Sequence, residues 1–203
     1  PQAVLGGTLL VSAAQAGKFR IRRMSLALPQ LPRALDGVTI AHVSDTHVGR
    51  FVGVKELESI VAATAALKPD AVAFTGDLID FNLADLPPAV AALRQLQKVA
   101  PLAICVGNHD LFEDGKFFRR KLRTAELGLM VDERMPLTVR GQAIEFLGLD
   151  WGLPSSPRAD GLQEHMVKVL EKRGGGFPIL LAHHPHAFDA AAAANIPLTL
   201  SGH

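Results

Sequence analysis

The chain has 203 residues, 48% of them hydrophobic and 20% charged, with Gly 18 and Pro 13; this is the balance of a single globular domain and excludes disorder, collagen-like repeats and long coiled coils. Lys plus Arg number 21 against 20 Asp plus Glu, a net charge of +1, which argues against a protein that lives by wrapping nucleic-acid backbones. A single cysteine, Cys105, excludes an internal disulfide framework and a Cys-rich zinc module, and its apolar neighbours predict a buried, inert thiol.

Residues 3–14 are apolar or small throughout, a run shorter than the ~20 residues that cross a bilayer. Two readings stand for residues 1–17: the end of an N-terminal membrane helix, or a linker that lies in a core or interface. Lys18, Arg20, Arg22, Arg23 and Arg33 follow, with no acid before Asp36. Beside a spanning segment they favour a membrane-associated protein whose next domain lies on the cytoplasmic face. The chain opens on Pro1 and stops on Ser201-Gly202-His203 directly after an apolar run, and it reads as a piece cut at both ends. Residues 18–203 form the domain, truncated at its C-terminus.

In chain order, the alternation over 19–28 predicts an edge strand ended by Pro29 and Pro32. A buried strand is expected at 38–43, a helix at 54–67 closed by Pro69, and a strand at 71–75. A helix at 86–99 carries Pro87 and Pro88 in its first turn, a position proline tolerates. A strand at 102–106 and a helix at 116–127 follow, then a hairpin of 137–140 and 143–149 turning near Gly141. The last elements are a helix at 162–172 broken by Gly174-Gly175-Gly176, a strand at 178–182, a helix at 187–194 and a strand at 198–201. Strands alternating with helices give an α/β layered domain.

Polar clusters follow the apolar strands at once: Ser44-Asp45-Thr46-His47, Gly76-Asp77 with Asp80, Gly107-Asn108-His109-Asp110, His183-His184-Pro185, and Gly202-His203. Loops at the carboxyl ends of strands line the crevice of open α/β sheets, so Asp45, His47, Asp77, Asn108, His183 and His203 are expected to converge. Carboxylate, imidazole and amide donors without thiolate suit Mn, Fe, Zn or Mg. Asp45 and His47 can turn toward one ion if the chain bends at Thr46, and Asp77 can bridge two cations. Such a pair can activate water and neutralise a phosphoryl group. His109 can then donate a proton to the leaving oxygen, with Asp80 or Asp110 orienting its ring. Each motif alone is ordinary turn chemistry; the ordered set is specific.

That set, Asp45-x-His47, Gly76-Asp77-x-x-Asp80, Gly107-Asn108-His109-Asp110, His183 and Gly202-His203, resembles the calcineurin-like metallophosphoesterase superfamily over residues 18–203. Ser44 to Gly49, Leu180 to His183 with Pro185, and Leu198 to His203 resemble its bacterial membrane-associated branch. The resemblance implies a four-layer α/β/β/α sandwich of two mixed sheets, with a dinuclear centre at the carboxyl ends of the strands. It implies that Asp45 and His47 bind the first of two divalent ions, that Asp77 bridges both, and that Asn108, His183 and His203 bind the second. His109 is then the catalytic histidine and Asp80 its partner. The family closes on Gly-His-x-His, whose last histidine lies beyond His203, and His184 stands where relatives often carry Asn.

The remaining candidates read more plainly. His42 is expected to be a satisfied core or sheet-face residue, His165 a solvated helix residue, and Trp151 a core residue rather than part of the cleft. The cationic run 116–123 reads first as a solvated helix face and second as a lip that grips a lipid phosphate headgroup. The activity expected is metal-dependent hydrolysis of a phosphodiester or pyrophosphate bond, with a lipid-linked substrate at a membrane surface as the family-level expectation. A nuclease on the same fold is disfavoured by the near-neutral charge. An inactive binding scaffold is disfavoured because the visible ligand positions are all filled.

Overall fold

Each helix starts and stops where backbone chemistry dictates. Helix α1 (Val54–Leu67) begins after Gly53, whose N–H is taken by Glu56 Oε2 at 2.9 Å, and ends as Lys68 turns left-handed (φ 48°) before Pro69. Helix α2 (Leu86–Val99) buries Leu86, Ala89, Leu93 and Leu96, one stripe at helical spacing. Helix α3 (Gly115–Thr124) is capped by Asp114, whose side chain accepts the Phe117 N–H at 2.9 Å. It stops short of the expected residue 127. Glu126 turns left-handed (φ 56°), and Leu127 donates back to the Leu122 carbonyl at 3.2 Å, a Schellman closure that buries Leu127.

The computed structural model describes residues 19–151 and 159–203. Strands β1 (Ile40–Val43), β2 (Ala71–Thr75) and β3 (Leu102–Cys105) form one sheet in the order β1-β2-β3, parallel throughout. Strands β4 (Glu133–Val139), β5 (Gln142–Gly148), β6 (Phe177–Ala182) and β7 (Leu198–Ser201) form a second, mixed sheet in the order β4-β5-β6-β7. Of the two expected mixed sheets, the second is mixed and the first is parallel. Arg140 (φ 51°) and Gly141 (φ 75°) make the two-residue turn of the β4–β5 hairpin. Strand β4 begins earlier than expected because its ladder runs to Glu133 opposite Gly148, with Pro136 tolerated on this outer strand.

The period-2 alternation of the strands sorts their side chains between cores. Val72, Phe74, Leu102 and Ile104 meet α1, α2 and α3. Ala71, Ala73, Ala103 and Cys105 face the other sheet, where Ile144, Phe146, Ile179 and Leu181 fill the space that these small residues leave. Leu147, Leu149, Leu180 and Ala182 pack on helices α4 (Ala159–Glu171) and α5 (Ala187–Ala193) through Met166, Val169, Ala187 and Ala191. Helix, sheet, sheet and helix layers thus enclose three cores, the expected sandwich. Cys105 is fully buried between the sheets, and burial pushes its thiol upward, as an inert cysteine requires.

Residues 19–28 form no strand. Alternation makes an edge strand only with a ladder partner alongside, and none is present among the described residues; Phe19, Ile21, Met24 and Leu26 stay exposed. The expectation for residues 1–17 lies outside the described residues. Among the described residues, no helix is long and apolar enough to cross a membrane.

Candidate metal centre

The polar clusters of the sequence gather at one end of the sandwich because the parallel strands of each sheet point the same way. Hydrogen bonding between the β1 and β2 loops continues past the strands. Asp45 donates to the Gly76 carbonyl (3.1 Å), His47 to Asp77 (3.0 Å) and Val48 to Leu78 (2.9 Å), while Asp80 donates back to Val48 (3.0 Å). These loops are regular in bonding and strained in conformation. Asp45 (φ 53°), His47 (φ 42°) and Asp77 (φ 53°) all occupy the left-handed region, which costs a non-glycine residue about 1 kcal/mol or more and clusters at functional sites.

Close approach of the loops depends on missing side chains. A Cβ at Gly107 would overlap the Asp77 carboxylate and backbone nitrogen, and one at Gly202 would overlap Ser44 Oγ and crowd Asp45 Oδ2. The buried Asp110 carboxylate fastens this arrangement from beneath. It accepts backbone N–H bonds from Asp77 (3.0 Å), Leu78 (2.8 Å), Ile79 (3.3 Å) and Gly107 (2.9 Å). Burial and the neighbouring Asp77 charge push its carboxyl up to about 7 against the Gly107, Ile79 and Leu78 donors. Asp110 therefore holds the β2 and β3 loops together and does not orient the His109 ring.

Asp77 lies at the middle of the cluster and is 2% exposed. Its Oδ2 is 3.1 Å from His183 Nε2 and 3.6 Å from His47 Nε2, and its Oδ1 accepts the His109 backbone N–H at 2.9 Å. Burial opposes the Asp77 carboxylate, but His183 and the His109 N–H outweigh it and hold the carboxyl below its ordinary range. Burial likewise opposes a charge on His183, yet Asp77 and the Thr75 carbonyl raise its pKa. His183 Nδ1 lies 2.7 Å from that carbonyl, and as the donor in this bond it leaves Nε2 as the ligating nitrogen. Asp45, His47 and Asp77 offer ligand atoms within 4.8 Å of one another, as do Asp77, His183 and His203, and His47, Asp80 and His109. Asp45 is also held from below, its carboxylate accepting the His203 backbone N–H at 3.0 Å.

The cluster is built for a cation. His47 Nδ1, Asn108 Oδ1 and His183 Nε2 are buried and have no hydrogen-bond partner, a costly condition that bound metal would relieve. Carboxylate, imidazole and amide oxygen are the donors such an ion takes. The expected candidates Asp45, His47, Asp77, Asp80, Asn108, His109, His183 and His203 all lie on these loops. His109 Nδ1 bonds the Asp80 main-chain carbonyl at 2.6 Å, with the Asp80 carboxylate farther off at 3.5 Å. Asp80 thus fixes the ring mainly through its backbone.

Trp151, His165 and Arg119 depart from expectation, the first only in part. Trp151 packs against the helix-side core as expected but also lines the site, its ring 5.2 Å from those of His183 and His184 and 5.4 Å from that of His203. His165 is no solvated residue: its Nδ1 lies 2.6 Å from the Asp132 carboxylate. Arg119 is consumed by the buried Asp150 at 2.8 Å, and Arg123 pairs with Glu133 at 3.1 Å. Lys116, Arg120, Lys121 and Arg123 are exposed, so the run is the solvated helix face expected, and Arg119 alone is drawn inward. Arg119→Ala is expected to cost about 2–3 kcal/mol in a denaturant melt, because Asp150 is left buried without its partner. Phe81 and Phe112, which belong to no motif of the sequence, flank His109 with ring centroids at 4.9 and 4.8 Å. The signal available was position: each follows a motif acid within two residues. His42 fits its expectation as a satisfied sheet residue, Nε2 lying 2.7 Å from Thr75 Oγ1.

Comparison with known proteins gives a consistent result. A "Transmembrane protein with metallophosphoesterase domain" from Danio rerio is 30% identical over 215 residues, covering 99% of this chain and 47% of the relative. "Uncharacterized metallophosphoesterase YkuE" from Bacillus subtilis (strain 168) is 31% identical over 179 residues, covering 85% of this chain and 60% of that protein. The chain thus spans about half the length of the curated relatives it matches. The crystal structure of TT1561 of Thermus thermophilus shares the fold at 17% identity, with a TM-score of 0.56 and 81% of each chain covered. Residues 38–203 match the model of the calcineurin-like phosphoesterases, and the chain belongs to that family.

Proposed function

We propose that the protein is a metal-dependent phosphoesterase that hydrolyses a phosphodiester or pyrophosphate bond. The observation that carries this reading is the buried Asp77 carboxylate set 3.1 Å from His183 Nε2 and 3.6 Å from His47 Nε2, on loops that also leave His47 Nδ1 and Asn108 Oδ1 buried and unpartnered. In this reading Asp45 and His47 would hold one divalent cation, Asn108, His183 and His203 would hold a second, and Asp77 would serve both. Bound there, the two cations would supply Lewis acidity that activates water and neutralises the phosphoryl oxygens.

The remaining roles belong to the protein. Asp110 keeps the β2 and β3 loops in register, and the Thr75 carbonyl sets the His183 tautomer. With Nδ1 committed to the Asp80 carbonyl, His109 has Nε2 available to hold a proton. As the water oxygen bonds to phosphorus and the ester P–O bond breaks, His109 gives that proton to the leaving oxygen. Accordingly, His109→Ala is expected to slow alkyl esters by about 100-fold or more and nitrophenyl esters far less, since nitrophenolate leaves without a proton. Equal losses in steady-state assays on both would mean that His109 positions phosphate instead.

The finer reading is a lipid-linked substrate met at a membrane surface. It is supported by the transmembrane character in the name of the Danio rerio relative and by the exposed Phe51, Phe81, Phe112 and Phe188, which sit on or next to the site loops. Arg120 and Lys121 lie over the Phe117 ring at 5.2 and 5.1 Å, so a headgroup grip by the cationic helix rests on them and not on Arg119. The deciding assay is Mn-dependent hydrolysis of an aryl phosphodiester against an aryl phosphomonoester. Diester turnover quenched by chelator supports the proposal; no turnover with any divalent metal, in a folded protein, favours a binding scaffold.

A further inference from the structure

We infer that Phe81 and Phe112 form a subsite for an apolar group carried on the leaving oxygen of the substrate, an inference that rests on the phosphoesterase reading and deepens it. The two rings are 57% and 49% exposed, yet they are ordered against each other, 5.7 Å apart with 11° between their planes. Both are tilted onto the His109 imidazole.

The shelf is prebuilt. Phe81 lies on the β2 loop and Phe112 on the β3 loop, and these loops are tied by the Leu83 N–H bonded to Glu113 Oε2 at 2.7 Å. That bond also occupies the charged group next to Phe112. His109 is fixed by two contacts of its own, its backbone N–H on Asp77 and its Nδ1 on the Asp80 carbonyl. The rings are therefore held in a set relation to the imidazole that protonates the leaving oxygen.

Position then determines chemistry. Whatever group is bonded to that oxygen departs past His109, where Phe81 and Phe112 stand. A small polar alcohol leaves both rings wet, whereas an aryl ring or acyl chain covers them and removes apolar surface from water. The substrate class is a phosphate ester or diester whose leaving alcohol carries an apolar group close to the phosphoryl oxygen.

The test uses the Mn-loaded chain and three non-hydrolysable probes, methylphosphonate, 2-naphthylmethylphosphonate and octylphosphonate, measured by titration calorimetry. At least one apolar probe is expected to bind about tenfold tighter than methylphosphonate. In Phe81→Ser/Phe112→Ser that preference falls to within about threefold, while methylphosphonate affinity stays within about threefold of the parent. Both side chains are exposed, so the variant is expected to fold, and circular dichroism checks this. Phe81→Leu/Phe112→Leu separates the sources: it retains the octyl preference if the group is a chain and loses the naphthyl preference if the group is a flat ring. An apolar preference unchanged in the serine variant, or absent from the parent, overturns the subsite. Failure of methylphosphonate to bind, together with no Mn-dependent hydrolysis, overturns the phosphoesterase reading instead. Naphthylmethylphosphonate binding that still depends on Phe81 and Phe112 would then keep the shelf, and its loss would end both.

Discussion

Asp77→Asn is expected to lower Mn-dependent phosphodiester turnover on the order of a thousandfold, with bound metal lost in parallel. The substitution is nearly isosteric, and the amide oxygen can still accept the His109 N–H that Asp77 Oδ1 takes at 2.9 Å. The fold should therefore survive, and a thermal melt close to that of the parent would show it. What disappears is the one charge of a buried carboxylate that stands 3.1 Å from His183 Nε2 and 3.6 Å from His47 Nε2. Those imidazoles then face a neutral group, and the candidate cation site loses its central anion. Metal content by mass spectrometry and kcat on an aryl diester check the two halves separately. Near-parental turnover would refute a bridging role for Asp77.

Gly107→Ala should damage both stability and activity, by a different route. Its Cβ would overlap the Asp77 carboxylate and backbone nitrogen, atoms that cannot swing aside as the end of a flexible side chain can. Relief requires parting the β2 and β3 loops, which breaks the Asp110 bonds to Asp77 and Gly107 at 3.0 and 2.9 Å. A loss of about 3 kcal/mol, or a melting temperature lower by ~6–12 °C, is expected, with turnover falling as the ligand loops move apart. Gly141→Ala supplies the comparison. That glycine is also left-handed (φ 75°) but has nothing within 4 Å of its Cβ position, so only the backbone cost of about 1 kcal/mol applies. Equal effects of the two substitutions would mean that loop contact at Gly107 is unimportant.

Much of the molecule was legible from residue order. The helix at 54–67, the helix at 86–99, the strand at 71–75 and the strand at 198–201 match the observed bounds. Their apolar spacing and their stops, Pro69 for one, are local properties of the chain. The errors fall where ends depend on partners. Helix α3 closes at Thr124 because Leu127 is drawn into the core, and β4 lengthens because β5 offers it a ladder. Residues 19–28 alternate like a strand, but alternation states only which faces differ, and a strand also needs a neighbour.

The site divides in the same way. Motif chemistry named Asp45, His47, Asp77, Asp80, Asn108, His109, His183 and His203, because donor types and strand-end positions are written in the sequence. Which other side chains share that space is not. Trp151 lies against His183 only because β5 and β6 are neighbours, and Phe81 meets Phe112 only because β2 and β3 are. Arg119 reads as a surface cation, and only the segment that follows β5 sets Asp150 against it. Asp110 was a candidate for orienting a histidine, and packing of the two loops made it an acceptor for their backbone donors. Residue order alone thus fixes the period of each element and the donor chemistry of the centre, since both depend on residues close along the chain. The partners of buried charges and the aromatic lining of the cleft emerge only on folding, because burial and pairing are set by segments distant in sequence.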